Sequence, residues 1–386
     1  MDSSQLRTGL YIHFPFCLKK CLYCDFNSEA GAAAEREDYP RLLLKEMELR
    51  RRELAGPVRA ATLYFGGGTP SLMAPRQVGL LIEAAVRLFG LEPDAEVTLE
   101  ANPGTLTPER LAGYRAAGVN RLSLGIQSFE DRLLATLGRV HSAREALTAF
   151  AAARSAGFDN ISIDLMHSLP GQSPLEWRRA LARGIALAPD HISAYALSVE
   201  TGTPFAALLQ AGALPLPGEE EGAQMFESTV ELLEEAGYLH YEISNFARPG
   251  LCSRHNGAYW SRDSYLGFGS GAHSFWNPDG VGERWENADE QLPYREALQG
   301  GVLPERHRER LTPEQAVAES FFLGLRVLAG LDLAPLEACF GPALLARPLE
   351  QAARLEATGA LIREGSRIRL APGAVILANT VFSRFL

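Results

Sequence analysis

Tyr11-Ile-His13-Phe-Pro15-Phe-Cys17-Leu-Lys-Lys-Cys21-Leu-Tyr-Cys24-Asp-Phe26 carries three cysteines within eight residues, directly after an apolar run that reads as a strand. A [4Fe-4S] cluster takes thiolates on its iron corners, and three thiolates from one loop leave the fourth iron without a protein ligand. An open coordination position accepts a small chelating molecule, as an open zinc site accepts substrate. Two other readings stand beside this one. Structural zinc usually draws two Cys or Cys/His pairs, and the later candidates here are the distant Cys252 and His255. Three unliganded thiols would crowd a polar loop, where buried inert cysteine is not expected.

The remaining composition sets the frame. At 386 residues, 46 % of them hydrophobic, the chain suits a large domain with a smaller one. Five cysteines, three of them clustered, argue against a disulfide framework and for a reducing compartment. The start, Met1-Asp-Ser-Ser-Gln5, has no secretory pattern, and no apolar run approaches the ~20 residues of a membrane span. A net charge of −10 argues against nucleic acid as a partner. The expected location is the cytoplasm.

Working outward from the cysteines, strand and helix signals alternate. Thr62–Phe65 reads as a buried strand running into Gly66-Gly67-Gly68-Thr69-Pro70. Further strands are expected at 96–100, 121–127, 160–165 and 191–197, with a helix after each of the first five strands. A helix is expected over 39–53, preceded by a small-residue linker at 30–34. Six such units predict an open, partial (β/α)6 barrel within an α/β fold. Cys17, Thr69, Glu100, Gln127 and Asp164 then fall where strands end, the rim on which such barrels place function. Each has a plainer alternative: the glycines could be a flexible turn, and Glu100 or Asp164 could pair with Arg121 or Arg139.

The motif Cys17-x3-Cys21-x2-Cys24 resembles the signature of the radical S-adenosylmethionine superfamily. With Tyr11-x-His13-x-Pro15-Phe16 before it and Asp25-Phe26 after it, the stretch is similar to the coproporphyrinogen dehydrogenase (HemN-like) branch. The resemblance implies a radical-SAM barrel in which Cys17, Cys21 and Cys24 hold a [4Fe-4S] cluster. It further implies that Tyr11, Gly67, Gly68, Thr69, Glu100, Gln127, Arg139 and Asp164 hold S-adenosylmethionine.

Residues 1–245 are expected to form the barrel, and 246–310 a linker carrying a second constellation, Cys252-Ser-Arg-His255-Asn256-Gly-Ala-Tyr259-Trp260. A histidine among aromatics is often just packed, yet imidazole is a common axial ligand of haem iron and aromatic rings suit a porphyrin face. His-Asn-x-x-Tyr-Trp resembles the string that marks the haem-chaperone (HemW-type) members of the branch, which implies haem contact by His255. Cys252 departs from the expected offset, and no role follows for it or for His273. Residues 311–386 read as an α+β winged-helix-like domain. Leu239–Phe246 reads as one strand.

Two functions follow. One is a haem carrier that delivers haem to an apo-haemoprotein acceptor, working as a monomer or dimer and touching membranes only peripherally, through that acceptor. The alternative is an oxygen-independent coproporphyrinogen III dehydrogenase. Phe26 stands where the dehydrogenases carry a fourth cysteine, and only sixteen residues precede Cys17; both favour the carrier. Whether S-adenosylmethionine is cleaved is left open.

Overall fold

A computed structural model describes residues 7–386; the opening Met1–Gln5, read above as free of a secretory signal, lies outside the described residues. The fold grows from β1 (Arg7–Phe14), in which Leu10, Ile12 and Phe14 are fully buried. Near-continuous burial suits a strand with parallel neighbours on both edges and cover on both faces. Each such side chain contributes roughly 1.5–3 kcal/mol to folding.

Beside β1 lie β2 (Arg59–Gly67), β3 (Glu96–Ala101), β4 (Arg121–Gln127), β5 (Ile161–His167) and β6 (His191–Ala196), all parallel and in sequence order. Between them run α1 (Ala33–Glu53), α2 (Pro75–Phe89), α3 (Pro108–Ala117), the pair α4 (Asp131–Leu137) and α5 (Ala143–Ser155), and α6 (Pro174–Ala186). This is the expected open six-unit α/β architecture. Helix α1 starts six residues earlier than expected. The Ala32 N–H donates to Glu35 Oε2 at 2.9 Å, and alanine-rich sequence readily enters a first turn.

Beyond β6, α7 (Pro204–Gln210) and α8 (Glu219–Glu235) lead back to the sheet, with Glu219, Glu220 and Glu221 in the first turn of α8. The single strand expected at 239–246 is a hairpin, β7 (Leu239–Glu242) with β8 (Asn245–Ala247). Its turn is braced by Asn245 Nδ2 donating to Glu242 Oε1.

The stretch 246–310, expected as a linker, is woven into the sheet. After α9 (Arg254–Trp260), β9 (Ser264–Phe268) pairs in parallel with the free edge of β1. The strands β10 (His273–Trp276), β11 (Glu283–Asn287) and β12 (Glu305–Arg310) continue it antiparallel, and α10 (Gln291–Gln299) packs on α1. The result is one twelve-stranded sheet, so the barrel domain does not end at 245.

The C-terminal part has its own core of Val317, Phe321, Leu345, Ile368 and Phe382. It comprises α11 (Pro313–Gly324), α12 (Leu333–Ala357, kinked at Gly341) and an antiparallel wing. The wing is β13 (Leu331–Asp332), β14 (Leu361–Glu364) and β15 (Arg367–Leu370), in agreement with a winged-helix-like module. Among the described residues no helix is long and apolar enough to cross a membrane.

Candidate functional site

The cysteine loop leaves β1 and is fastened from several sides. Leu22 exchanges backbone hydrogen bonds with Leu137 at the end of α4 and Phe205 in α7, both 3.1 Å. Its side chain, with that of Tyr23, packs on an apolar cluster that includes Leu133, Met166 and Phe205. His13 Nε2 meets the Asn27 carbonyl at 2.8 Å, and Asn27 Nδ2 donates to the carbonyl of Asp289 at 3.0 Å. The loop is therefore pinned between cysteines as well as at its ends, which frees the three thiols to face one cavity.

Cys17, Cys21 and Cys24 are unpaired, half-buried, and all line that cavity. Thr69 Oγ1 donates to Cys17 Sγ at 3.4 Å, and Arg139 Nη1 to Cys21 Sγ at 3.6 Å. Burial pushes the Cys17 and Cys24 thiols up, so they would deprotonate against iron rather than stand as free thiolates. Among the described residues no group of three or more His, Cys, Asp or Glu is arranged to hold a single metal ion. An all-sulfur donor set around a shared space fits a multi-iron cluster.

The cavity holds about 360 Å³. Glu100, Gln127, Arg139 and Asp164, expected from the sequence, all line it. Gln127 stands at a bulge in the β4–β5 pairing with φ of 64°, a conformation that re-aims its side chain. Its Oε1 is buried without a hydrogen-bond partner, as is Arg139 Nε. Gly125 lets the two cross, since a Cβ there would sit 3.2 Å from both Arg139 Nη2 and Gln127 Nε2. Orphaned polar atoms of this kind ask for a ligand.

Glu100 accepts a hydrogen bond from the Tyr64 hydroxyl at 2.7 Å and Asp164 one from Ser123 at 3.2 Å. Burial raises both carboxyls, Glu100 to about 7, against the hydrogen bonds that favour their charged forms. An arriving ammonium or sulfonium would restore their charge, so the residues fit a cationic amino-acid cofactor.

The glycines serve geometry first. Gly67 has φ of 104°, and a Cβ on Gly68 would lie 2.8 Å from the Phe16 carbonyl oxygen. The N–H groups of Gly68 and Thr69 are spent on the carbonyls of Phe14 and Phe16. What the turn still offers a ligand is therefore carbonyl oxygen, the partner an amino group needs.

Two expected residues lie elsewhere. Tyr11 packs beside the stacked rings of Tyr64 and His255, its ring centroid 6.1 and 6.4 Å from theirs, and does not line the cavity. His255 is only 2 % exposed, and both ring nitrogens are taken: Nδ1 by Thr62 Oγ1 at 2.7 Å, Nε2 by the Tyr259 hydroxyl at 2.9 Å. Burial, reinforced by the charge of Arg121, pushes it down to about 3. Neutral and doubly hydrogen-bonded, it is a pin that ties α9 to β2, not a histidine presented to haem iron. Glu96 completes the pin by accepting from the backbone N–H of Arg254 and of His255, both at 3.0 Å. Of the expected motif, Asn256 alone lines the cavity. His273 is exposed, and Cys252 lies outside the cavity lining.

Sequence reading missed Tyr64, Arg121, Ser193, Tyr195 and Asn256 as cavity residues. Arg121, an arginine opening an apolar strand, is the readable signal among them. Its guanidinium makes no ion pair with Glu100 or Asp164 among the described residues.

The family model "Radical SAM superfamily" matches residues 11–183, and "HemN C-terminal domain" matches 311–377. The chain is 37 % identical to the heme chaperone HemW of Bacillus subtilis, over 97 % of this chain and 98 % of that protein. It is 41 % identical to the mitochondrial radical S-adenosyl methionine domain-containing protein 1 of Bos taurus, over 84 % of this chain and 74 % of that one. Among solved structures, the coproporphyrinogen III oxidase HemN of Escherichia coli superposes with a TM-score of 0.84 at 24 % identity. That match covers 99 % of this chain and 90 % of that one, a likeness of fold.

Proposed function

This chain belongs to the HemW family within the radical S-adenosylmethionine superfamily, and we propose that it is a haem chaperone, binding haem and passing it to apo-haemoproteins. The observation that carries the reading is the near-full-length similarity to the HemW heme chaperones, joined to a cavity lined by three thiols and a set of unsatisfied polar groups.

Cys17, Cys21 and Cys24 would hold a [4Fe-4S] cluster. When bound, that cluster supplies an iron open to the amino and carboxylate groups of S-adenosylmethionine, and one-electron chemistry. Glu100 and the Gly67 carbonyl would accept from the cofactor's amino group, Arg139 would meet its carboxylate, and Gln127 and Asp164 would accept from its ribose hydroxyls. Coordination of haem iron by His255 would require its ring to release Thr62 and Tyr259, and is no part of the proposal. A cytoplasmic location, a monomer or dimer, and membrane contact only through the acceptor belong to the same reading.

The test begins with anaerobic reconstitution. The loaded protein is incubated with haem, and separately with coproporphyrinogen III, S-adenosylmethionine and a reductant. Stoichiometric haem binding without decarboxylated product is expected; accumulation of protoporphyrinogen would replace the chaperone with the dehydrogenase. Serine at all three cluster positions should abolish the broad absorbance near ~400 nm, and a surviving band would refute the cluster assignment.

A further inference from the structure

We infer that the Arg121 guanidinium, on the floor of the cavity, is the receptor for a carboxylate group of the bound ligand. The inference rests on the haem-chaperone reading and deepens it.

Arg121 opens β4, where it is paired with Thr98, while Glu100 is paired with Ser123. At about 3.3 Å per residue, Arg121 therefore lies some ~6–7 Å deeper than the Glu100 level. Residues 121, 123, 125 and 127 share one face of the strand, and all four line the cavity. The side chain is 2 % exposed, and its Nε has no hydrogen-bond partner. Among the described residues the guanidinium makes no side-chain hydrogen bond and no ion pair.

The other fully buried arginines are not left so. Arg50, 1 % exposed, pairs with Glu53 and Glu305 and lies over the Trp285 ring. Arg262, 6 % exposed, pairs with Glu319 and reaches the Gly280 and Val281 carbonyls. A buried guanidinium without a partner is costly, and its planar fork matches a carboxylate in bidentate fashion. Glu100 and Asp164 feel the Arg121 charge, yet neither forms an ion pair with it. Tyr64, Ser193 and Asn256 surround the same floor with further polar groups.

Two ligands of this reading carry carboxylates: haem on its propionates and S-adenosylmethionine on its methionine end. Arg139, next to Cys21, stands by the cluster loop where the latter would be held. The propionate is therefore the expected occupant of the Arg121 floor.

The test titrates haem and S-adenosylmethionine separately into reconstituted wild type, R121Q and R121K, with the cluster absorbance and thermal midpoint as controls of folding. R121Q should weaken haem binding by about tenfold or more, and R121K by less, with affinity for S-adenosylmethionine changed by no more than about twofold. Haem dimethyl ester, whose propionates are blocked, should bind wild type as weakly as haem binds R121Q. Loss of S-adenosylmethionine affinity with haem binding intact would keep the carboxylate receptor and assign it to that cofactor. Unchanged affinity for both ligands overturns the inference, and equal binding of haem and its ester to wild type overturns the propionate as the occupant even if the variants do not fold. Wild type that takes up no haem at all would instead refute the chaperone reading and leave the S-adenosylmethionine arm to judge Arg121.

Discussion

Glu46 and Glu100 are two carboxyls raised by the same cause, burial, to the same level, about 7. Their surroundings differ. Glu46, on α1 outside the barrel, is fully enclosed. It accepts from the Gly269 N–H at 2.8 Å, Asn287 Nδ2 at 2.6 Å and the Tyr294 hydroxyl at 2.7 Å. Glu100, inside the barrel, accepts from the Tyr64 hydroxyl and the Gly67 backbone N–H and otherwise faces the cavity. A perturbed carboxyl therefore does not by itself mark a functional site. Complete hydrogen bonding marks Glu46 as structure; incomplete hydrogen bonding beside Gln127 and Arg139 marks Glu100 as receptive.

The largest effect should come from the closed network. Glu46→Ala strands three buried donors and unties the 269–271 turn, within which Ser270 receives the Tyr39 hydroxyl and accepts from Asn27 Nδ2 through its carbonyl. We expect a loss of about 3–5 kcal/mol in denaturant unfolding of the full chain. Glu46→Gln, which keeps one acceptor but turns an amide toward donors, should cost about 1–2 kcal/mol. If Glu46→Ala leaves stability unchanged, the network is not what fixes the turn behind the cysteine loop.

Glu100→Gln should invert this pattern. Stability should hold or rise, since a neutral amide avoids the cost of burying charge. Affinity for S-adenosylmethionine should fall by roughly tenfold or more, because the charge-assisted hydrogen bond from the cofactor's amino group to the carboxylate is lost. Calorimetric titration of the reconstituted protein decides it. A destabilised variant with unchanged affinity would put Glu100 in the same class as Glu46.

The sequence exposed one of these residues and hid the other. Glu100 is legible because it ends a strand in a repeated strand–helix pattern, and the rim rule gathers Cys17, Thr69, Gln127 and Asp164 beside it. Glu46 looks like an ordinary charge on an amphipathic helix. Its partner Asn287 is 241 residues away, in a segment that reads as linker because its strands are short and irregular. The setting of His255 is hidden for a related reason. A short motif with a ligand's residue types said nothing of Thr62, 193 positions earlier, which closes the ring's second nitrogen. Local spacing fixes which residues share an element; whether a polar atom is left without a partner depends on distant strands.

The smallest effect is the dependence on pH. Glu100 has a folded value, about 7, above its ordinary 4.5. Its contribution to stability is therefore fully present below ~4.5 and is lost as pH rises through ~7. The buried histidines His141, His167 and His255, all pushed down, act with the opposite sign as pH falls below their usual range, so the wild-type curve alone mixes the two. The difference between Glu100→Gln and wild type isolates the carboxyl. The variant's advantage should grow from pH ~5 to ~8, by at most about 1.4 kcal/mol per unit. Over the same interval wild-type affinity for S-adenosylmethionine should rise toward a plateau, because the cofactor's amino group would donate more strongly to the ionised carboxylate than to the acid, and Glu100→Gln should flatten that rise. A parallel pH profile in the two proteins would show that Glu100 does not meet the cofactor's amino group, and the contrast with Glu46 would then rest on cavity shape alone.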